Sequence, residues 1–332
     1  MRALLSVRTG GPETLVLVSD AAIPQPGPGE VLIRVHAASL NFPDLLRLED
    51  KYQERPPRPF SPGSEVAGVV AAVGSGVHGL ALGERVMAVT SWGGMAEYVA
   101  VPEAKVSLIP EGMPFDEASA LLVTYATTWH ALKQRADLRA GETLLVLGAS
   151  GGVGLAAVEL GRAMGARVVA AASSAEKLAV AKAAGADAGI VYPTGQFTPD
   201  QQKALSADLK AACGPQGAAV IFDPVGGAYS EPAFRAIGWG GRYLVIGFAT
   251  GIASLPLNLP LLKGASVVGV FWGESVERDP AGHQRAVAEL AELYAEGQIR
   301  PRIHATYPLD RGAEALAFLA SRKAMGKLVV TL

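Results

Sequence analysis

The segment "GASGGVG" (residues 148 to 154) directly follows the apolar run "TLLVL" (residues 143 to 147). In a strand, turn and helix, small residues give a tight turn, let a pyrophosphate approach the backbone, and let the helix pack on the strand. Those roles fall on Ala149, Gly151 and Gly154. The predicted dinucleotide site comprises Ala149, Ser150, Gly151, Gly152, Val153 and Gly154. Structural turns are glycine-rich as well, so the prediction also depends on the second strand expected near 167 to 172.

The residues after that second strand indicate which nucleotide binds. NAD sites place an acid there for the ribose diol, whereas NADP sites carry neutral and basic groups. This chain has "AASSAEK", with Ser173 and Ser174 in the acid's place and Lys177 one helical turn later. A charge-assisted bond from Lys177 to a 2′-phosphate contributes about 1.5 to 3 kcal/mol. The alternative is an exposed surface lysine, but the missing acid favours NADPH.

Composition narrows the possible partners. The chain has 332 residues, 50% of them hydrophobic, and a net charge of -2 with acids and bases interspersed. We expect a small-molecule partner and no nucleic acid. The N-terminal stretch breaks into Gly-Gly-Pro before an apolar signal core forms, and Cys213 is the single cysteine. These features predict a cytoplasmic protein without a membrane span or an intramolecular disulfide.

The pattern of the elements changes along the chain. Up to about residue 122, short β-rich runs alternate with Pro and Gly turns, which indicates a twisted sheet or partial barrel. Apolar strands and helices then alternate, as in a doubly wound parallel sheet covered on both faces. The tail predicts an amphipathic helix and a strand that rejoins the first domain. The fold class is therefore α/β.

Four segments together resemble one known family: "SLNFPDLLRLEDKYQERPPRPFSPGSEVAGVVAAVGSGV", "GGMAEYVAVP", "LGASGGVGLAAVELGRAMGARVVAAASSAEK" and "VVGVFWG". The chain is similar to the zinc-independent, zeta-crystallin-like quinone oxidoreductases of the medium-chain dehydrogenase/reductase superfamily. The resemblance implies a Rossmann nucleotide-binding domain over 123–274. It also implies a GroES-like catalytic domain formed by 1–122 and 275–332, with the active site in the cleft between the two.

Two positions depart from the zinc-dependent members of that superfamily. Those members carry Gly-His-Glu where this chain has Gly63-Ser64-Glu65, and a zinc-binding cysteine in the region of Asn41. Zinc sites in proteins need several thiolate or imidazole ligands. With one distant cysteine and five histidines that show no ligand spacing, we expect no metal.

The resemblance also implies roles for individual residues. Asn41 resembles the family asparagine beside the nicotinamide ribose, and Tyr52 matches the tyrosine that related enoyl-thioester reductases use as proton donor. The alternative for Tyr52 is an aromatic that only packs on the cleft wall, and Asp50 replaces the glycine usual before the Lys-Tyr pair. Further implied cofactor contacts are Thr127, Gly247, Phe248, Phe271 and Trp272 near the nicotinamide, and Tyr192 and Arg322 near the adenosine phosphate.

Three functions remain open at this point. The leading one is NADPH-dependent reduction of a quinone without metal. The second is reduction of an activated carbon-carbon double bond in an enone, alkenal or enoyl thioester, for which Tyr52 matters more. The third is a non-catalytic NADPH-binding protein. The strand "SVVGVFW" could pair with its copy across a twofold axis, which predicts a homodimer.

Overall fold

The computed structural model describes residues 1–195 and 197–332, which form two compact units. The first unit comprises Met1–Val123 and Arg300–Leu332, and the second comprises Thr124–Ile299. The first boundary lies within about a residue of the one expected from sequence. The second boundary falls at residue 300 rather than 275, because the helix that follows residue 279 packs in the second unit, where Glu289 accepts a 2.6 Å bond from Lys133 Nζ.

The first part of the first unit is rich in β-structure, as its β-branched runs predict. Its strands are β1 (Ala3–Ser6), β2 (Leu15–Val18), β3 (Glu30–Ser39), β4 (Glu65–Val73), β5 (Arg85–Val89), β6 (Tyr98–Pro102) and β7 (Val106–Leu108), and its helices are α1 (Phe42–Leu48) and α2 (Phe115–Ser119). β1 and β2 form a separate antiparallel pair. Pro43 at the start of α1 removes an N–H that a helix leaves without an intrahelical partner.

A helical stretch leads from the end of the first segment into the second unit: α3 (Thr127–Trp129) is flanked by π-helical turns at Leu122–Ala126 and His130–Arg135. The strands that follow are β8 (Thr143–Leu147), β9 (Arg167–Ala172), β10 (Ala188–Val191), β11 (Ala218–Asp223), β12 (Ile237–Val245) and β13 (Ser266–Gly269). The helices are α4 (Gly152–Ala163), α5 (Ala175–Ala183), α6 (Pro199–Cys213), α7 (Ser230–Arg235), α8 (Asn258–Lys263), α9 (Trp272–Arg278) and α10 (Pro280–Ala295).

These six strands form one parallel sheet in the order β10-β9-β8-β11-β12-β13. This is the doubly wound order of a Rossmann fold. The chain adds strands on one side of β8 up to β10 and then on the other side from β11 to β13, so the order of the strands reverses between β8 and β11. Ligands of such sheets bind outside the carboxyl ends of the strands at that reversal. The glycine motif follows β8 at this point, so the topology confirms the predicted fold class and places the motif where a nucleotide binds.

The tail returns to the first unit as β14 (Ile303–Pro308), α11 (Gly312–Ala320) and β15 (Lys327–Thr331). β15 pairs antiparallel with β3, with Val329 opposite Ser39. The sheet order of this unit is β14-β15-β3-β4-β5-β7, and β6 also pairs with β3. The expected return of the tail is confirmed, whereas β14 was not anticipated from sequence.

Each unit has its own buried core. In the second unit, Leu145 and Val169 face each other across β8 and β9, and Phe234 of α7 covers the sheet without exposure to solvent. In the first unit, Ile33 and Val66 are likewise inaccessible. Burying one such side chain contributes about 1.5 to 3 kcal/mol. The cores therefore make each strand end a rigid support for the polar residues that follow it.

Candidate cofactor site and buried polar cluster

The turn after β8 comprises Gly148, Ala149 and Ser150 and is closed by the N–H of Gly151, which donates to Gly148 O at 3.0 Å. Ala149 therefore lies in the turn where the sequence predicted it, fully buried, and its N–H donates to Ala171 O at 3.1 Å. Gly148, the residue before it, has φ +59°, in the left-handed region that favours glycine.

The next two glycines have the geometry that the motif predicts. A Cβ atom on Gly154 would lie 2.2 Å from Gly148 O, so only glycine lets α4 pack this closely on the turn. A Cβ atom on Gly151 would meet only Gly148 O, at an ordinary 3.5 Å, and the space in front of the turn is otherwise open. Gly151 caps α4, whose first-turn N–H groups point toward this space. The arrangement suits a pyrophosphate at the helix N-terminus.

Tyr192 lies beneath the same turn. Its ring is buried and meets the ring of Tyr229 edge-on at 4.9 Å between centroids. Burial raises the pKa of the Tyr192 phenol, opposed by the backbone of Gly148. The phenol therefore stays protonated. Its expected contact with the adenosine phosphate stays a prediction.

The three residues expected to select the nucleotide lie together at the end of β9. Ser174 caps α5, with its hydroxyl accepting the N–H of Lys177 at 3.2 Å. Lys177 Nζ donates to Ser173 Oγ at 3.1 Å, which folds the ammonium back over the strand end. Partial burial lowers the pKa of Lys177. The structure thus gathers one cation and two hydroxyls where an NAD site would hold a carboxylate.

Two loops at the carboxyl ends of β11 and β12 are joined to each other. Thr250 Oγ1 donates to Val225 O at 3.0 Å and to Gly226 O at 3.1 Å. Gly227 N donates to Gly251 O at 2.8 Å. Gly247 and Phe248, expected near the nicotinamide, lie on the second of these loops. The loop carrying them is therefore held by the first.

Asp223 anchors that first loop. Its Oδ1 accepts the N–H groups of Val225 and Gly226 at 2.8 and 2.9 Å, and its Oδ2 accepts Ser230 Oγ at 2.7 Å and the hydroxyl of Tyr243. Every contact braces the turn, and the carboxylate is 3% exposed. These hydrogen bonds fix the turn after β11 from inside the unit.

The other expected nicotinamide contacts of the second unit lie on three separate elements. Thr127 begins α3, and the next residue, Thr128, donates from Oγ1 to Val153 O at 3.4 Å, which ties α3 to α4. Phe248 and Phe271 are 47% and 58% exposed. Trp272 begins α9 and meets the ring of His283 at 5.6 Å. Their contacts with a cofactor stay predictions.

A buried polar cluster surrounds Asn41 in the first unit. Asn41 Nδ2 donates to Glu65 Oε2 at 3.3 Å, and Asn41 Oδ1 accepts Lys327 Nζ at 2.5 Å. Lys327 Nζ lies 3.6 Å from Glu65 Oε2. All three side chains are at most 7% exposed. Burial lowers the pKa of Lys327, with the charges of Glu65 and Asp44 acting in the opposite direction.

Further hydrogen bonds hold the acids of this cluster. Glu65 Oε2 accepts Ser39 Oγ at 2.8 Å, and Glu65 Oε1 accepts the N–H of Val123 at 2.8 Å. Asp44 Oδ2 accepts the N–H of Asn41 at 2.8 Å. Burial raises the pKa of Asp44, opposed by the charge of Arg47 and by hydrogen bonds to Asn41 and Ser64.

The guanidinium carbon of Arg47 lies over the ring of Tyr52, 4.5 Å from the centroid of that ring. Burial raises the pKa of the Tyr52 phenol. Asp50, which replaces the usual glycine, has φ 55° and accepts Arg58 Nη1 at 2.8 Å. Aspartate thus adopts the left-handed conformation that glycine would take, as Asp does more readily than most residues. The hydrogen bond from Arg58 holds Asp50 in this conformation two residues before Tyr52.

The polar cluster does not provide the ligands of a zinc site. Asn41 and Ser64 replace the thiolate and imidazole positions, and the Lys327 ammonium lies between Asn41 and Glu65. A cation placed there repels a metal ion. Over residues 1–195 and 197–332, no group of three or more His, Cys, Asp or Glu side chains could hold a metal. The side chains of this cluster therefore do not fit a zinc ion.

Sequence reasoning did not find Lys327 or Asp44 as site residues, and it placed Asn41 only through the family resemblance. Lys327 is 286 residues from its partner Asn41. The only signal for Asp44 was its position three residues after Asn41, where an acid can cap a helix. Arg322, expected as a phosphate contact, follows α11 in the first unit with φ 59°. Its role stays a prediction.

Two family models match the chain: the alcohol dehydrogenase GroES-like domain over residues 27–111 and the zinc-binding dehydrogenase over residues 152–292. A quinone oxidoreductase-like protein 2 homolog from Nematostella vectensis is 37% identical over 333 residues, which cover 99% of this chain and 88% of that protein.

Two solved structures have the same fold. The quinone oxidoreductase of Thermus thermophilus, described also in complex with NADPH, is 36% identical, with a TM-score of 0.83 and 100% of both chains covered. A mycobacterial protein in complex with NADPH is 28% identical, with a TM-score of 0.92 and the same coverage.

Within the part of the chain that the structure describes, no helix is both long and apolar enough to cross a membrane. The sheet order, the glycine turn and the near-complete coverage of a 37% identical relative agree with one another. The chain therefore belongs to the quinone oxidoreductase-like family of medium-chain dehydrogenases/reductases, as an oxidoreductase built from a Rossmann-type unit and a GroES-like unit.

Proposed function

We propose that this protein reduces quinones with NADPH by hydride transfer, without a metal. The observation that carries the choice of NADPH is the cation at the end of β9, where Lys177 Nζ lies 3.1 Å from Ser173 Oγ. An acid at this position would repel the 2′-phosphate, whereas Lys177 attracts it. The complexes of two structural relatives with NADPH support the same cofactor.

The residues of the second unit suit this cofactor. The open space in front of Gly151 and the N-terminus of α4 accommodate a pyrophosphate, and Lys177 with Ser173 and Ser174 accommodates the phosphorylated ribose. Gly247 and Phe248, on the loop clamped by Thr250, flank the nicotinamide end. The remaining proposed contacts are Thr127, Tyr192, Phe271, Trp272 and Arg322.

When bound, NADPH supplies a hydride, and the reduced quinone then requires a proton. Asn41 is a proposed contact of the nicotinamide ribose, held by Glu65 and Lys327. Tyr52 remains protonated through neutral pH, because burial raises its pKa above the ordinary value of 10.0. It can therefore donate a hydrogen bond to a hydroquinone oxyanion but is a weak acid. We assign it to orientation of the oxygen rather than to obligatory proton transfer.

A second candidate is reduction of an activated double bond in an enone, alkenal or enoyl thioester. The observation in its favour is the anchoring of Tyr52 on Arg47, because a positioned hydroxyl is what an enolate needs. Saturating such a bond requires a proton on carbon, which gives Tyr52 a larger role than quinone reduction does. The two candidates therefore differ in their dependence on this residue.

The test follows loss of the reduced-nicotinamide absorbance under anaerobic conditions. The acceptors are a small benzoquinone, a naphthoquinone, an alkenal and a crotonyl thioester, with NADH in place of NADPH as the cofactor control. We expect turnover with the quinones and a preference for NADPH. Turnover confined to the alkenal or the thioester would move the assignment to double-bond reduction. Tight NADPH binding without turnover of any acceptor would contradict both.

We also propose that the protein acts as a cytoplasmic homodimer. β13 is the end strand of the six-stranded sheet, and Val267 in it is 49% exposed. The same unit exposes a set of large apolar side chains on neighbouring segments: Trp239, Ile252, Leu257, Leu261 and Leu262. Unpaired strand edges flanked by apolar side chains commonly pair with a second copy. A twofold axis beside β13 would cover both features.

A further inference from the structure

We infer that Lys327 is a positioning residue for Asn41, fixing which end of its carboxamide is free to meet the cofactor. This inference rests on the proposed contact of Asn41 with the nicotinamide ribose. Asn41 lies at the junction of β3 and α1, and Lys327 is the first residue of β15. β15 pairs with β3, which brings the ammonium to Asn41 across the sheet.

The chemistry of the two partners determines the orientation of the amide. An ammonium group only donates hydrogen bonds, and an ionised carboxylate only accepts them. Asn41 Oδ1 faces Lys327 Nζ at 2.5 Å, and Asn41 Nδ2 faces Glu65 Oε2 at 3.3 Å. Rotating the amide by half a turn would place two donors together and two acceptors together. Only one orientation therefore satisfies both partners.

Burial makes this orientation exclusive. Asn41 is 7%, Lys327 5% and Glu65 0% exposed, so water does not compete for their hydrogen bonds. The backbone of Asn41 is fixed as well, because its N–H donates to Asp44 Oδ2 at 2.8 Å. A buried pair of charges costs free energy unless its geometry is satisfied. Four charged side chains are buried here: Asp44, Arg47, Glu65 and Lys327. Because their burial has this cost, their presence indicates that the cluster positions Asn41 and does not only fill space.

The fixed amide offers one kind of contact to a ligand. Asn41 Nδ2 also lies 3.5 Å from Ser39 O, so both of its hydrogens point at protein acceptors. Oδ1 has two lone pairs, and Lys327 uses one. The remaining lone pair makes Asn41 an acceptor for a hydroxyl donor of the cofactor, such as a ribose hydroxyl. Without Lys327 the amide can rotate and present a donor instead.

The experiment is a double-mutant cycle in which the binding of NADPH is measured by nucleotide fluorescence. The variants are Lys327→Met, Asn41→Leu and the two together, with the exposed Lys203→Met as a matched control for loss of charge. We expect Lys327→Met to raise the NADPH dissociation constant about tenfold. In the Asn41→Leu background the same change should have almost no further effect, because there is no amide left to orient. Lys203→Met should bind as the wild type does.

Two further variants separate positioning from folding. Lys327→Met leaves Glu65 buried without its cation, so Glu65→Gln/Lys327→Met removes both charges and should show the same weakened binding with better stability. Lys327→Gln keeps a donor and should recover part of the affinity. Effects of Lys327→Met and Asn41→Leu that simply multiply, or wild-type NADPH binding by the charge-free variant, would overturn the inference. Failure of the quinone assay would leave this binding test intact and would count against the proposed substrate alone.

Discussion

Lys177 Nζ donates a 3.1 Å hydrogen bond to Ser173 Oγ, which turns the ammonium group toward the end of β9. A preorganised side chain loses less conformational freedom on binding than a mobile lysine does. From this relationship we expect Lys177 to be the main determinant of the proposed preference for NADPH. The preference should therefore respond sharply to substitutions of this residue.

Replacing Lys177 with alanine should reduce the NADPH-to-NADH preference by roughly 10- to 150-fold, the equivalent of one charge-assisted hydrogen bond. The affinity for NADPH should decrease, while the affinity for NADH stays near the wild-type level. Lys182→Ala, on the exposed face of the same helix, is the matched control. The measurement is the dissociation constant of each nucleotide by fluorescence titration. An unchanged preference in Lys177→Ala would assign phosphate recognition to other cations, with Arg322 the first to examine.

The preference should also depend on pH with a defined sign. Burial lowers the pKa of Lys177 below 10.5, and only the protonated amine attracts the phosphate. The contribution is fully present below the lowered pKa and is lost as the pH rises through it. NADPH affinity should therefore fall in the alkaline range before pH 10.5, while NADH affinity does not. Titration of both nucleotides across this range measures the difference, and Lys177→Arg should shift the loss to higher pH. A parallel decline of both nucleotides would indicate loss of the fold instead.

Two glycines of the motif should respond differently to alanine. In Gly154→Ala the new Cβ would lie 2.2 Å from Gly148 O, so the backbone must shift. We expect a loss of about 1 to 3 kcal/mol in the free energy of unfolding, as in other overpacked sites. In Gly151→Ala the nearest atom is 3.5 Å away, so stability should hold while NADPH affinity falls, because the methyl group occupies the pyrophosphate's approach.

Each glycine variant is the control for the other, with thermal unfolding and NADPH titration measured on both. A Gly151→Ala protein that binds NADPH normally would place the pyrophosphate elsewhere. A Gly154→Ala protein with wild-type stability would show that the turn can relax. Either outcome would contradict the packing account of the motif.

Sequence reasoning identified the features that local spacing encodes. The strand, turn and helix around Gly151 and the serine pair with Lys177 each lie within one short segment, where residue types act on near neighbours. Ala149 lies in the predicted turn, but its residue type gives no sign that the positive φ falls on Gly148, which only the backbone shows.

Contacts between residues that are far apart in the sequence could not be predicted from local patterns. No spacing rule connects Asn41 with Lys327, which meet because β15 returns beside β3. The assignment of α10 to the second unit likewise depends on a contact between distant residues, Lys133 and Glu289. Such pairings follow from the complete topology and not from the composition of either segment.

Substituting Tyr52 with phenylalanine should separate the two candidate reactions. Quinone reduction should change little, because a hydroquinone oxyanion can take its proton from water. Any alkenal reduction should fall by roughly 10²- to 10⁴-fold if the phenol acts as the general acid. Tyr98→Phe, on β6 of the same unit, is the control, and initial rates with both acceptors are the measurement. A large loss of quinone turnover in Tyr52→Phe would make the phenol essential and would contradict its assignment to orientation.

The edge strand β13 should determine the oligomeric state. We expect the wild-type protein to sediment at twice the chain mass of 34.2 kDa. Val267→Asp should give a monomer, because a charge on an edge strand opposes pairing of sheet edges and would be buried at the twofold axis. Val16→Asp is the matched control, since Val16 on β2 is 44% exposed against 49% for Val267. A wild-type monomer would remove the dimer proposal, and a dimeric Val267→Asp protein would place the interface away from β13.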